Sequence, residues 1–173
     1  SVTNMQNTFL GCSALTSLDV SSFNTSSVSN MQYMFNGCAG LTSLVGVEDF
    51  DITGLDTTGD LTNFLTVGKM TTAQYDNLLV KWEAQNVLNG LTPTFGNSTY
   101  TGGSAAATAK QALGDDHNWV IADGGIEPSA FESVWATTAI NETITIPCQN
   151  VGTFNAVIDW GDGTPTSTIT AYN

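Results

Sequence analysis

One offset organises the first third of the chain. Val2-Thr3-Asn4-Met5-Gln6 matches Val28-Ser29-Asn30-Met31-Gln32, and the register holds through Phe9/Phe35, Gly11/Gly37, Cys12/Cys38, Leu15/Leu41 and Leu18/Leu44, each pair 26 residues apart. Chance matches would not keep one offset over so many apolar positions, so the chain is built from a repeated unit. A unit this short cannot bury its own apolar stripe and folds by stacking on its neighbours. Val28, Met31, Met34 and Phe35 fall at helical spacing, Ser29 or Asn30 is able to cap the start, and Gly37 stands where a helix stops. That spacing predicts a short helix in each unit. Leu15-Thr16-Ser17-Leu18-Asp19-Val20 then reads LxxLxL, which places three apolar side chains inside a short strand. Leu61-Thr62-Asn63-Phe64-Leu65 echoes the unit a third time, in a degenerate form whose offset we read as 33, aligning Asn63 with Asn30. Asn4, Asn30 and Asn63 are expected to stack as capping or ladder groups that satisfy backbone amides.

Composition narrows the partners. The 173 residues hold 16 Asp and Glu against three lysines (Lys69, Lys81, Lys110) and no arginine, a net charge of −13. Nothing here could replace the counterions around a phosphate backbone, which argues against nucleic acid as a partner. Hydrophobic residues at 41% allow an ordered core, while charged residues make up only 11%. The surface is therefore expected to be solvated by hydroxyls and amides, as in many exported bacterial proteins. No stretch approaches the roughly 20 apolar residues that cross a bilayer, so no membrane insertion is expected in this segment. The start, Ser1-Val2-Thr3-Asn4, lacks a basic and apolar leader. Because Ser1 aligns with Ser27 and Asn173 falls early in a strand-rich region, we expect the chain to be an excised part of a larger protein.

These residues, VTNMQNTF-GCSALTSLDVSSFNTSSVSNMQYMF-GCAGLTSL, resemble the BspA-like leucine-rich repeat of bacterial surface proteins, in the variant with an N-M-x-x-M-F-x-G-C signature. The resemblance covers about residues 1–67. It implies an extracellular or cell-surface protein of the adhesin type, with no catalytic residue in the repeats. Cys12 and Cys38 should stack about 5 Å apart by strand spacing. We read them as a ladder of buried thiols acting as small hydrophobes, although a disulfide is geometrically conceivable.

Residues 68–126 read as a cap over the open end of the repeats. Thr71-Thr72-Ala73-Gln74 is a capping box, predicting a helix to about Gln85 with Tyr75, Leu78, Leu79 and Trp82 on its core face. Leu91–Phe95 and Asn97–Thr101 read as short extended pieces. Ser104 opens an Ala-rich helix closed by Gly114, and Trp119-Val120-Ile121 is expected to be a strand before Asp123-Gly124-Gly125. This order resembles the segment that commonly follows BspA-like repeats, with W-x-x-Q and W-x-I-x-D-G-G. The only histidine, His117, lies beside Asp115 and Asp116, but without a second His or a nearby Cys it reads as part of a solvated loop rather than a metal site.

From about residue 127 the periodicity alternates. Thr143-Ile144-Thr145-Ile146, then Phe154, Ala156, Ile158 and Trp160, then Ile169 and Ala171 read as strands, with Asp162-Gly163 as a hairpin turn. Ala156-Val157-Ile158-Asp159-Trp160-Gly161-Asp162-Gly163 resembles the W-G-D-G signature of the polycystic-kidney-disease (PKD) domain, an immunoglobulin-like sandwich used as a spacer. The later strands of such a domain are missing here. Asp159 and Asp162 supply too few oxygens for calcium, and we assign them to the turn.

The expected architecture is thus an α/β leucine-rich-repeat solenoid with a helical and strand cap (residues 1–126), followed by an incomplete all-β, PKD-like sandwich (127–173). No nucleophile stands at motif spacing from His117, and GxSxG, HExxH and phosphate-binding glycine loops are all absent. Glu127, Glu132 and Glu142 lie in a linker and a strand region without an evident cleft, so paired-carboxylate hydrolysis is not expected either. No cofactor and no metal is expected. The reading that remains is a non-catalytic adhesion or ligand-recognition module whose partner is a protein or glycan on another cell or matrix, or a neighbouring module of the same protein. The alternative is a structural spacer or stalk segment without a ligand. If the chain recognises something, the exposed positions beside LxxLxL are the expected face: Ser17, Asp19 and Ser21 in one unit, Ser43, Val45 and Val47 in the next. Sequons at Asn24, Asn97 and Asn141 are explained by chance in an Asn- and Thr-rich chain.

Overall fold

The structure is a computed structural model that describes residues 1–57, 60–128, 156–158 and 167–169. It divides into two compact units, Ser1–Ser129 and Ala130–Asn173. The order of elements in the first is β1 (Ser17–Asp19), β2 (Ser43–Val45), a single 3-10 turn (Val47–Asp49), α1 (Thr72–Glu83) and α2 (Ala105–Asp115).

Successive units lie side by side in the repeat register. Strands β1 and β2 pair in parallel with Ser17 opposite Ser43, Leu18 opposite Leu44 and Asp19 opposite Val45, and Asn4 bridges Asn30, also in parallel. The short helix expected over Val28–Phe35 does not form. In its place the backbone alternates between two kinds of partner. The amides of Met5, Asn7, Phe9 and Gly11 donate to the carbonyls of Asn30, Gln32, Met34 and Asn36 in the next unit, at 2.7–3.1 Å. The amides between them turn back locally, Thr8 to Met5, Leu10 to Asn7 and Cys12 to Phe9, at 3.1–3.3 Å. The second unit repeats this: Met31, Tyr33 and Phe35 donate to Asp60, Thr62 and Phe64. A helix would send every amide to its own i−4 carbonyl. Here half of them bond across units, so chain stacking replaces the helical ladder. The apolar spacing is the same in either case, and Val28, Met31, Met34 and Phe35 are all fully buried.

This turn ladder requires a left-handed residue in each unit. Asn7, Tyr33 and Asn63 supply it, with φ of 63°, 57° and 55°. The hydrogen bonds therefore align Met31 with Leu61, Tyr33 with Asn63 and Phe35 with Leu65, an offset of 30 rather than 33. Asn63 is the counterpart of Asn7, not of Asn30. Asn4 and Asn30 do satisfy backbone amides, each side-chain oxygen accepting from the residue two ahead, Gln6 at 2.8 Å and Gln32 at 2.9 Å. The same local turn recurs at Asn24–Ser26 and Asp51–Thr53.

Aromatic rings run through the stack. Phe9 and Phe35 lie face to face at 5.3 Å, and Phe35 meets the edge of Phe64 at 5.2 Å. Phe64 contacts Trp82 and Phe95, which also touch each other at 5.8 Å. A second column joins Phe23 to Phe50 at 6.4 Å. Such contacts each add about 0.5–1.5 kcal/mol beyond burial. Of the two cysteines in this ladder, Cys38 is buried and Cys12 exposed, and both are free. The expected thiol ladder therefore has one covered rung and one open one.

Helix α1 begins with the capping box read from the sequence: Thr71 Oγ1 accepts from the Gln74 amide at 3.3 Å, and Gln74 Oε1 accepts from the Thr71 amide at 3.1 Å. Tyr75, Leu78, Leu79 and Trp82 form its buried face. Ser104 caps α2, accepting from Ala106 and Ala107. Gly114 lies within α2 and does not close it; the helix ends at Asp115 with Asp116 as its C-cap, and a left-handed residue follows at Asn118, φ 55°, where the Trp119 amide reaches back to the Leu113 carbonyl at 2.9 Å. Trp119–Ile121 is not a strand. The Val120 amide donates to the Leu91 carbonyl at 3.0 Å, and single bridges join Thr94 with Ala122 and Tyr100 with Ile126.

In the second unit, β3 (Ala156–Ile158) and β4 (Ser167–Ile169) are antiparallel, with Ala156 opposite Ile169 and Ile158 opposite Ser167. This agrees with the antiparallel arrangement expected there. The expected strand at Thr143–Ile146 and the Asp159–Gly163 segment lie outside the described residues.

Candidate ligand face

The six residues expected to form a recognition face divide into three groups. Ser17, Asp19, Ser21 and Val45 are exposed on and beside the β1–β2 pair, with Val45 at 42%. Ser43 is half-buried because Gln74 Nε2 donates to its hydroxyl at 2.9 Å. Val47 is fully buried, a correction to the expected face. Strand alternation stops at Val45, and Gly46, at φ 85°, passes the chain into the 3-10 turn. Val47 thus enters the core, where its carbonyl accepts the Trp82 indole N–H at 3.3 Å. Gly46 has no substitute there, since a Cβ would sit 2.4 Å from Ser21 Cα.

The remaining polar groups are partly spent on each other. One oxygen of Asp19 accepts from the Ser21 hydroxyl at 2.6 Å and from the Ser21 amide at 2.9 Å. These bonds favour the ionised carboxylate and hold it below the usual range. At neutral pH the face thus presents the negative charge of Asp19, the Ser17 hydroxyl and one valine. A surface of this kind can hydrogen-bond a polar partner.

Sequence reading misses a polar cluster under the cap. Asp123 accepts from Lys110 Nζ at 2.7 and 2.9 Å, from the Tyr75 hydroxyl at 2.6 Å and from the Gly125 amide at 2.9 Å. Lys110 also lies 4.6 Å over the Tyr100 ring. The Asp123 side chain is 4% exposed, so an ion pair with these additional bonds is what makes its burial tolerable. Burial, then the bond to Asp123, pushes the Tyr75 phenol far above its ordinary value. With every group paired, the cluster locks α1, α2 and the Asp-Gly-Gly turn together. The signal for it is one lysine of only three, placed on a helix that faces an Asp-Gly-Gly turn.

Other candidates do not converge. His117 Nδ1 lies 3.2 Å from Asn89 Oδ1, whereas Asp115 accepts from Gln111 at 3.2 Å. Glu127 accepts from the Thr99 and Thr72 hydroxyls, which lower its pKa. Among the described residues no three His, Cys, Asp or Glu side chains gather to hold a metal, and no helix is long and apolar enough to cross a membrane.

No curated protein matches the chain. No solved structure matches it either. A family model does match, over residues 1–100, which takes in the repeat units and helix α1 and covers more than half of the chain. On that match, the chain belongs to the family described as Mycoplasma protein of unknown function, DUF285.

Proposed function

We propose that this chain is a non-catalytic recognition module of a large secreted or cell-surface bacterial protein, binding a protein or glycan through the outer face of β1 and β2. Membership of a surface-associated repeat family is consistent with a bacterial surface protein. In this reading the stacked units are a BspA-like leucine-rich-repeat solenoid, and the β3–β4 unit belongs to a PKD-like domain. The observation that carries the reading is the row of exposed Ser17, Asp19, Ser21 and Val45 on a backbone held rigid by parallel pairing. Rigid presentation of polar groups lowers the ordering cost of binding. A second reading, a spacer without a ligand, is favoured by one specific observation: the Asp19–Ser21 bonds already satisfy part of the polar face internally.

Solid-phase binding of the purified chain to a panel of glycans and matrix proteins tests the choice. Saturable binding to at least one partner supports recognition. Uniformly background signal from folded protein supports the spacer.

A further inference from the structure

The turn ladder carries one side chain that its backbone does not call for. Each rung needs a left-handed residue, and Asn7 and Asn63 fill that place with the non-glycine type best suited to it. Between them stands Tyr33, at φ 57°, a bulky residue for which this conformation is a true outlier. Asparagine or glycine would serve the backbone better, so the ring is present at a loss in local stability, and strain of this kind gathers at ligand contacts. The Asn7 amide donates to the Gln32 carbonyl and the Tyr33 amide to the Thr62 carbonyl, which sets Asn7, Tyr33 and Asn63 in line across three units. Asn7 is exposed, and Tyr33 and Asn63 are half-buried. In the neighbouring row Gln6 Nε2 donates to Gln32 Oε1 at 3.0 Å, and the Thr62 and Thr92 hydroxyls meet at 3.2 Å. The side chains of Asn7, Tyr33 and Asn63 have no such partner among the described residues. The rungs themselves, residues 5–11, 31–37, 61–67 and 91–96, contain no charged residue, in a chain of net charge −13.

We infer that this row is a contact face for a neutral oligosaccharide, with a sugar ring stacked on Tyr33 and its hydroxyls bonded by the amides of Asn7, Gln32 and Asn63. Resting on the recognition role proposed above, this face narrows the partner to an uncharged glycan and adds a contact to that of β1 and β2. The chemistry selects the occupant. A side-chain amide both donates and accepts, as a sugar hydroxyl does. Tyrosine offers a large, rigid surface with few rotors to freeze, suited to the apolar C–H face of a sugar. The Gln6–Gln32 bond orders part of the row before anything binds. An anionic ligand finds no cation on these rungs, and a cationic one finds no carboxylate, whereas carboxylates are plentiful elsewhere on the chain. A peptide strand would bind by adding to free backbone groups, yet every amide of residues 6–8 and 32–34 is already bonded within the protein.

The test compares the full chain with Tyr33→Asn and Tyr33→Phe on an array of neutral hexose and N-acetylhexosamine oligosaccharides. Sialylated and sulfated forms and matrix proteins are probed alongside, and all three chains are melted in parallel. Stacking on Tyr33 predicts saturable binding of at least one neutral oligosaccharide by the parent. Tyr33→Asn should lose at least about tenfold in affinity, while Tyr33→Phe, which keeps the ring, retains most of it. Tyr33→Asn should also melt no lower than the parent, because asparagine relieves the strain; a residue that serves only packing would not behave so. Undiminished sugar binding in Tyr33→Asn, equal losses in both variants, or a lower melting temperature in Tyr33→Asn overturns the inference. Binding confined to proteins or charged glycans overturns it too, and leaves recognition through β1 and β2 standing. Absence of all binding removes the recognition role together with this face.

Discussion

At the scale of single residues, the account rests on side chains whose chemistry is set by partners distant in sequence. Tyr75 shows the consequence most directly. Its phenol is buried and donates to Asp123, so its pKa in the folded chain lies well above the unfolded value of about 10. An acid with a raised folded pKa contributes stability that is fully present below the unfolded pKa. That contribution is lost as pH rises above it, because the unfolded chain releases the proton first. The melting temperature is therefore expected to fall as pH rises beyond about 10. In Tyr75→Phe this fall should be shallower, while stability at pH 7 drops by about 1–2 kcal/mol from the lost hydrogen bond. Thermal melts of both proteins across alkaline pH measure both effects; equal slopes would show that Tyr75 does not titrate as described. Little of this is legible in the sequence. Spacing alone places Tyr75 in the core, but its partner lies 48 residues away. Val47 is misplaced by sequence reading for a related reason: strand alternation extends on paper through Gly46, whose positive φ ends it in the fold.

At the scale of elements, legibility follows where the hydrogen bonds go. Helix α1 bonds within itself, so the capping box and the spacing of Tyr75, Leu78, Leu79 and Trp82 are enough to place it. The turn ladder bonds to the next unit, and its apolar residues keep a spacing that a helix shares. The left-handed residue of each unit marks the difference; Asn7 and Asn63 carry a weak signal for it, but Tyr33, at φ 57°, carries none. Helix α1 also does more than cover apolar surface. Gln74 closes the open edge of β2 by accepting from the Leu44 amide at 3.2 Å, and Gln85 bonds both the Ile52 amide and the Phe50 carbonyl at 2.9 Å. Side-chain amides thus finish a backbone edge that would otherwise lack partners. Replacing Gln74 by alanine removes both this bond and half of the capping box, so a loss of about 1–3 kcal/mol is expected. Gln111→Ala, on the exposed side of α2, is the matching control and should change stability by less than about 0.5 kcal/mol. Urea unfolding of both variants checks this, and equal midpoints would remove the edge-closing role from Gln74.

At the scale of the whole molecule, the repeat is the part of the fold most open to reading, because an offset of 26 residues survives in the register of Ser17 with Ser43. The degenerate third unit is misaligned by sequence alone because inserted residues hide its offset, and only the bonds from Met31, Tyr33 and Phe35 restore it. The proposed role depends on the outer face of β1 and β2, of which Ser17, Asp19, Ser21 and Val45 remain exposed. The most direct measurement compares the chain with a variant carrying Ser17→Ala, Asp19→Ala, Ser21→Ala and Val45→Thr, against whichever glycan or matrix protein the parent chain binds. These positions are exposed, so the fold should persist. The account predicts at least about a tenfold loss of affinity, equivalent to about 1.4 kcal/mol. Unchanged affinity in a variant that melts like the parent would contradict it.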